Sequence, residues 1–152
     1  MARFYLSFLF LVLSCGVSLA AGKWPPVEIR PGQSCKECGM KIVAQDLRFA
    51  SEEVNQDGKV EVFCDIGDLL THYEFEGKKG QSAEIYVKDF ITGVWVPGRE
   101  AYYLTKSKVV TPMRYGILAF KDYASAEKFK REDGGGEIYN FEGVLASKVY
   151  RR

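Results

Sequence analysis

The chain has 152 residues, with 21 Lys and Arg against 20 Asp and Glu, a net charge of +1 and 47% hydrophobic residues. That evenly balanced charge argues against a nucleic-acid interface or a basic membrane-binding face. The supply of aromatic and branched residues argues against wholesale disorder and suits one packed domain or two small ones.

The N-terminal stretch MARFYLSFLFLVLSCGVSLAAG has one basic residue, Arg3, then an apolar run from Phe4 to Leu13, then small residues. The run is too short to span a bilayer as a helix, so it reads as a secretory signal. Two processing sites compete. Ser18-Leu19-Ala20 suits ordinary cleavage and makes 1–20 a signal peptide. Val12-Leu13-Ser14-Cys15-Gly16 is a tolerable lipobox, which removes 1–14 and leaves Cys15 lipidated. Either route predicts export to the periplasm or the outside of the cytoplasmic membrane. Residues 21–34, including the proline-rich KWPPVEIRPGQ, read as an extended tether.

Beyond the tether the sequence repeats itself weakly. Gly39-Met40-Lys41-Ile42 and Leu47-Arg48-Phe49-Ala50 align with Gly93-Val94-Trp95-Val96 and Ala101-Tyr102-Tyr103-Leu104. Val60 to Asp65 align with Ile117 to Asp122, and Glu84 to Val87 with Glu137 to Asn140. LRFASEEV and KVEVF alternate as half-buried strands do, around a turn containing Asn55, Asp57 and Gly58. Asp65 and Asp122 stand where N-caps belong, ahead of the helical patterns IGDLLTHYEF and YASAEKFKRE. Gly77, Gly80 and Gly134 to Gly136 are placed to end those helices. The expected fold is α+β, with two related ββαβ halves, 35–92 and 93–152, packed into a small compact protein.

The chemistry lies in sulfur. With Cys15 removed or lipidated, Cys35, Cys38 and Cys64 remain, an odd number for an exported chain. The CxxC of SCKECGMK has three chemical readings. A thioredoxin-like pair needs a helix N-terminus inside a βαβ frame, whereas this motif follows a Pro-Gly tether and precedes Gly39. A zinc site would recruit Cys35, Cys38, Cys64 and His72, although C-x₇-H is not knuckle spacing. A Cu(I) site needs only two or three soft ligands, and Cys35, Cys38 and Met40 lie together in the sequence. A plain Cys35–Cys38 disulfide with Met40 as core filler stands beside them. Met113, after Pro112 in a turn, is placed to complete a sulfur site or simply to cover apolar surface. Cys64 is either a ligand or a small buried hydrophobe. His72, whose repeat counterpart is Phe129, reads as a core or surface-lining residue in preference to a ligand.

Four ordered segments resemble a known family: Cys35-x-x-Cys38-Gly39-Met40, Phe63-x-Asp65-Ile66-Gly67-Asp68-Leu69, Tyr86-Val87-x-Asp89-Phe90-x-Thr92-Gly93-x-Trp95, and Pro112-Met113-x-x-Gly116-x-x-Ala119-Phe120. They are similar to the NosL family, exported copper-binding accessory proteins associated with nitrous-oxide reductase. The resemblance implies a periplasmic lipoprotein anchored through Cys15 and a fold of two ββαβ halves. It also implies Cu(I) carriage to the reductase's copper centres, with Cys35, Cys38, Met40 and Met113 as matching ligands. PMRYG stands where a tighter PMG is common in the family, and Cys64 lies outside its pattern.

A carrier needs an accessible, low-coordinate site, so that a partner's ligand enters before the first one leaves. No nucleophile pair or phosphate loop is evident, and Asp65, Asp68 and Asp89 read as cap and turn residues. The expectation is therefore a Cu(I) metallochaperone rather than an enzyme. Its partner is a copper-receiving enzyme or that enzyme's assembly factors, and it touches the membrane only through a lipid. The alternatives are a thiol-disulfide protein using Cys35 and Cys38, or a zinc-binding interaction domain.

Overall fold

A computed structural model describes residues 24–76 and 82–151. The signal segment, Cys15, Gly77 and Gly80 fall outside those residues. A hairpin opens the first half, with β1 (Ser51–Asn55) paired to β2 (Val60–Phe63). Its turn is held by Asn55, whose Oδ1 accepts from the Asp57 and Lys59 amides, and by Gly58 at φ +78. Helix α1 (Ile66–Phe75) starts at Asp65, whose side chain accepts from the Gly67 amide, and β3 (Ser82–Lys88) follows. After β4 (Trp95–Pro97) the pattern recurs as β5 (Tyr102–Leu104), β6 (Leu118–Phe120), α2 (Tyr123–Asp133) and β7 (Ile138–Tyr139). Asp122 caps α2 through the Ser125 amide, and Gly134 ends it in the left-handed conformation. A last helix, α3 (Phe141–Ser147), completes the described chain.

The repeat is real at the level of topology. The two antiparallel sheets run β2-β1-β3-β4 and β6-β5-β7, so the first three strands of each are placed alike. Phe63 pairs with Ser51 as Phe120 pairs with Tyr102, and Tyr86 pairs with Glu52 as Tyr139 pairs with Tyr103. This register corrects one part of the sequence alignment: the counterpart of Tyr102-Tyr103-Leu104 is Ser51-Glu52-Glu53, not a segment from Leu47 to Ala50. Leu47 to Phe49 form turns after a short 3₁₀ helix (Ala44–Asp46), and Phe49 packs into a core instead of joining the sheet. β4, the strand just after the midpoint, hydrogen-bonds to β3 of the first sheet, with Pro97 on the outer edge where its missing N–H costs little.

Residues 24–34 are not a free tether. Ile29 is buried, the Val27 amide donates to Glu52 Oε1, and Tyr86 donates its hydroxyl to the Trp24 carbonyl, so the segment straps the first sheet. Two cores result. Between the sheets, α1 and α3 lie Phe63, Leu69, Ile85, Val87, Tyr103, Ala119 and Phe141. Leu104, Leu118, Phe120 and Ala126 form the second core, beneath α2.

Candidate metal centre

The loop from Cys35 to Met40 folds on itself because its ends are bridged. Ser34 and Lys41 form an isolated β-bridge, the Cys35 amide donates to the Met40 carbonyl, and the Gly39 amide donates back to the Cys35 carbonyl. Gly39 has φ +75, a conformation that glycine adopts without strain. The Lys36 amide donates to the Val62 carbonyl, which pins the loop across the end of β2. Cys64 follows that strand immediately, and Asp68 occupies the first turn of α1. The loop and the strand-to-helix junction therefore meet at the positive end of a helix.

There Cys35, Cys38, Cys64 and Asp68 converge, with their donor atoms all within 4.8 Å of one another. Cys38 Sγ lies 3.6 Å from Cys64 Sγ, and Asp68 Oδ2 lies 3.2 Å from Cys35 Sγ and 3.4 Å from Cys64 Sγ. All three cysteines are free thiols. Cys35 and Cys64 are 2% and 1% exposed, while Cys38 is half-buried and so forms the opening. The side-chain hydrogen bond from Cys64 holds the Cys35 thiol well below its ordinary range, at about 4. Burial pushes Cys38 up to about 11, and the same link to Cys35 pushes Cys64 upward. Asp68 rises to about 6, first through burial and then through the charge on Cys35. The four groups therefore share their protons unequally, and a metal bound among them would displace the thiol protons that remain.

The sequence candidates divide. Cys35 and Cys38 meet as the spacing suggested, and Cys64 joins them. Met40 contributes its carbonyl to the loop and leaves its side chain 48% exposed beside it. Met113 is half-buried against the core that contains Cys35 and Cys64, and its amide donates to Asp65 Oδ2 at 2.9 Å. Asp65 therefore caps α1 with one oxygen and holds the proline-methionine turn with the other. Gly67 belongs to the same junction: a Cβ there would lie 2.1 Å from the Tyr115 ring, so only glycine admits the turn so close to the helix.

His72 is not the fourth member of a Cys₃His set. Its Nδ1 faces Glu37 Oε2 at 3.4 Å and its Nε2 faces Glu61 Oε2 at 3.3 Å. The fourth side chain that converges with the three cysteines is Asp68. In the sequence Asp68 has the look of a cap or turn residue; the signal that points to it is its position one helical turn after Cys64. Asp89 is a turn residue as expected, accepting from Thr92 and from the Lys121 amide.

With this geometry established, a family model for NosL matches residues 26–149. Among solved structures, the crystal structure of the copper chaperone NosL from Shewanella denitrificans superposes with a TM-score of 0.63 at 24% identity. The match covers 78% of this chain and 96% of that one. No curated protein matches the chain.

Proposed function

The chain belongs to the NosL family, and on that premise we propose that it is an exported Cu(I) metallochaperone. Its recipient in this reading is a periplasmic copper enzyme, nitrous-oxide reductase or the factors that assemble it. The observation that carries the reading is the convergence of three free sulfurs at a helix N-terminus, one of them half-exposed. Cu(I) is soft and comfortable with two or three sulfur ligands. Cys35, Cys38 and Cys64 supply the bound state. Met40, exposed in the loop, and Met113, whose amide is held by Asp65 next to Cys64, would add weaker thioether ligands to that bound state. Copper carriage by the Shewanella relative supports this choice of cargo. Transfer proceeds by ligand exchange: a sulfur of the recipient enters past Cys38 and the buried thiolates leave last. This is carriage, not catalysis. A lipid on Cys15 would hold the domain at the membrane surface.

Asp68 gives a second reading some footing. A carboxylate is a hard donor that Cu(I) ignores but Zn(II) accepts, so Cys₃Asp would make a closed zinc site. Anaerobic competition for Cu(I) against a chromogenic chelator, with Zn(II) in parallel, separates the two. The copper reading expects one Cu(I) per chain, bound more weakly after Cys35→Ser, Cys38→Ser or Met113→Leu. Zn(II) binding with no hold on Cu(I) would replace it with the structural zinc reading.

A further inference from the structure

The two halves differ most where their helices meet their sheets. By the strand register, Glu53 and Glu61 of the first sheet stand where Leu104 and Leu118 stand in the second. Phe63 and His72 match Phe120 and Phe129 closely. The first pair of rings is 5.2 Å apart at 45°, and the second is 5.5 Å apart at 42°. Where α2 covers an apolar core of Leu104, Leu118, Phe120 and Phe129, α1 covers Glu53, Glu61 and His72. These polar residues border a cavity of about 490 Å³. Polar groups, Glu53 and His72 buried and Glu61 half-buried, at positions that this fold fills with leucine and phenylalanine cost stability, and they call for a reason.

The reason lies in what they hold. Glu61 Oε1 accepts from Lys36 Nζ at 3.0 Å, and its Oε2 faces His72 Nε2. His72 Nδ1 faces Glu37. Lys36 and Glu37 are the two residues between Cys35 and Cys38. Each imidazole nitrogen thus faces one carboxylate, one from the loop and one from β2, and the ring stands between them. The ring is closed: from the loop through Lys36 to β2, across to α1 at His72, and back to the loop at Glu37. Among the described residues, the Lys36 amide bond to the Val62 carbonyl is the backbone tie from the outer part of the loop to the sheet, beside the Cys38–Cys64 sulfur contact.

We infer that His72 and Glu61 are positioning residues that latch the CxxC loop shut over the buried thiols and so set how fast the site opens to hand over its metal. This builds on the metal-carrier reading, yet the latch itself can be measured without metal. Cys35 is 2% exposed, so a thiol reagent reaches it only when the loop opens. The test is site-resolved alkylation of the reduced, metal-free protein with iodoacetamide, read by mass spectrometry. The variants are His72→Phe (the residue of the other half), His72→Gln and Glu37→Gln. We expect His72→Phe and Glu37→Gln each to speed Cys35 modification about tenfold. The double variant should be no faster than either single one, and His72→Gln, which keeps a polar side chain able to meet one of the two carboxylates, should fall between. Glu37→Gln lies in a partly exposed loop side chain and keeps the test valid if His72→Phe loses its fold. Cys35 rates within twofold of the parent in Glu37→Gln, or full additivity in the double variant, would overturn the latch. Failure of the unmodified protein to bind Cu(I) would instead strike the carrier reading and leave these alkylation rates to judge the latch alone.

Discussion

Asp68 shows what a side chain's surroundings add to its identity. Buried at 1% exposure beside two sulfurs, it is a hard carboxylate among the soft atoms of the candidate site. Asp68→Asn is expected to leave Cu(I) affinity within about threefold while weakening Zn(II) by tenfold or more, on the scale of a lost ligand or its partner. Parallel competition titrations with the two metals check this. CxxC spacing made Cys35 and Cys38 legible from the sequence. Asp68 was hidden because an aspartate just inside a helix start usually serves the helix, and only the tertiary meeting of loop and helix gives it sulfur neighbours. Glu52 was equally hidden. It is fully buried in β1, with Oε1 accepting from the Val27 amide and Oε2 unpartnered, and burial lifts its carboxyl from 4.5 to about 7. The folded chain therefore binds one more proton than the unfolded chain between those pH values. Stability from this residue is full below pH 4.5, falls as pH rises toward 7, and is level above it, a loss of about 3 kcal/mol at most. Denaturant titrations across that range should show the slope, and Glu52→Gln should flatten it.

At the scale of elements, hydrophobic periodicity and Asx caps located both hairpins and both α1 and α2, because those signals are local. The register of β1 was not local. Ser51-Glu52-Glu53 is too polar to be recognised as the equivalent of Tyr102-Tyr103-Leu104, and its polarity is what equips the first half for a site. α1 and the proline-methionine turn form one working unit through Asp65 and Gly67. Gly67→Ala would drive a methyl into the Tyr115 ring and cost about 1–3 kcal/mol by overpacking. The added methyl should also push the Met113 turn off the helix. The expected result is a lowered denaturation midpoint together with faster loss of Cu(I) to a chelator. A stable variant with the parent's rate would mean that the turn takes no part in holding the metal.

For the whole molecule, the repeat conveyed the architecture but not the pieces that break its symmetry. β4 extends the first sheet alone, the segment from Trp24 to Ile29 straps that sheet, and α3 with Tyr150 closes the large core. No periodicity announces such pieces, since each is specified by the surface it covers. Glu74 on α1 accepts from Tyr150 and Arg151 and pairs with Lys148, so the C-terminal segment is fastened to the helix that carries Asp68 of the candidate metal centre. Tyr150 is 1% exposed, and Tyr150→Ala should cost about 3–4 kcal/mol in urea unfolding by emptying that corner of the core. The molecule is then a symmetric scaffold in which one half keeps an apolar core and the other carries a sulfur site with its latch. The most direct measurement of that account is anaerobic Cu(I) competition by the reduced domain against a chromogenic chelator. The account predicts one tightly held Cu(I) per chain, lost when Cys35, Cys38 and Cys64 are replaced together by serine. A triple variant that competes as well as the parent, or a parent that fails to compete, would contradict it.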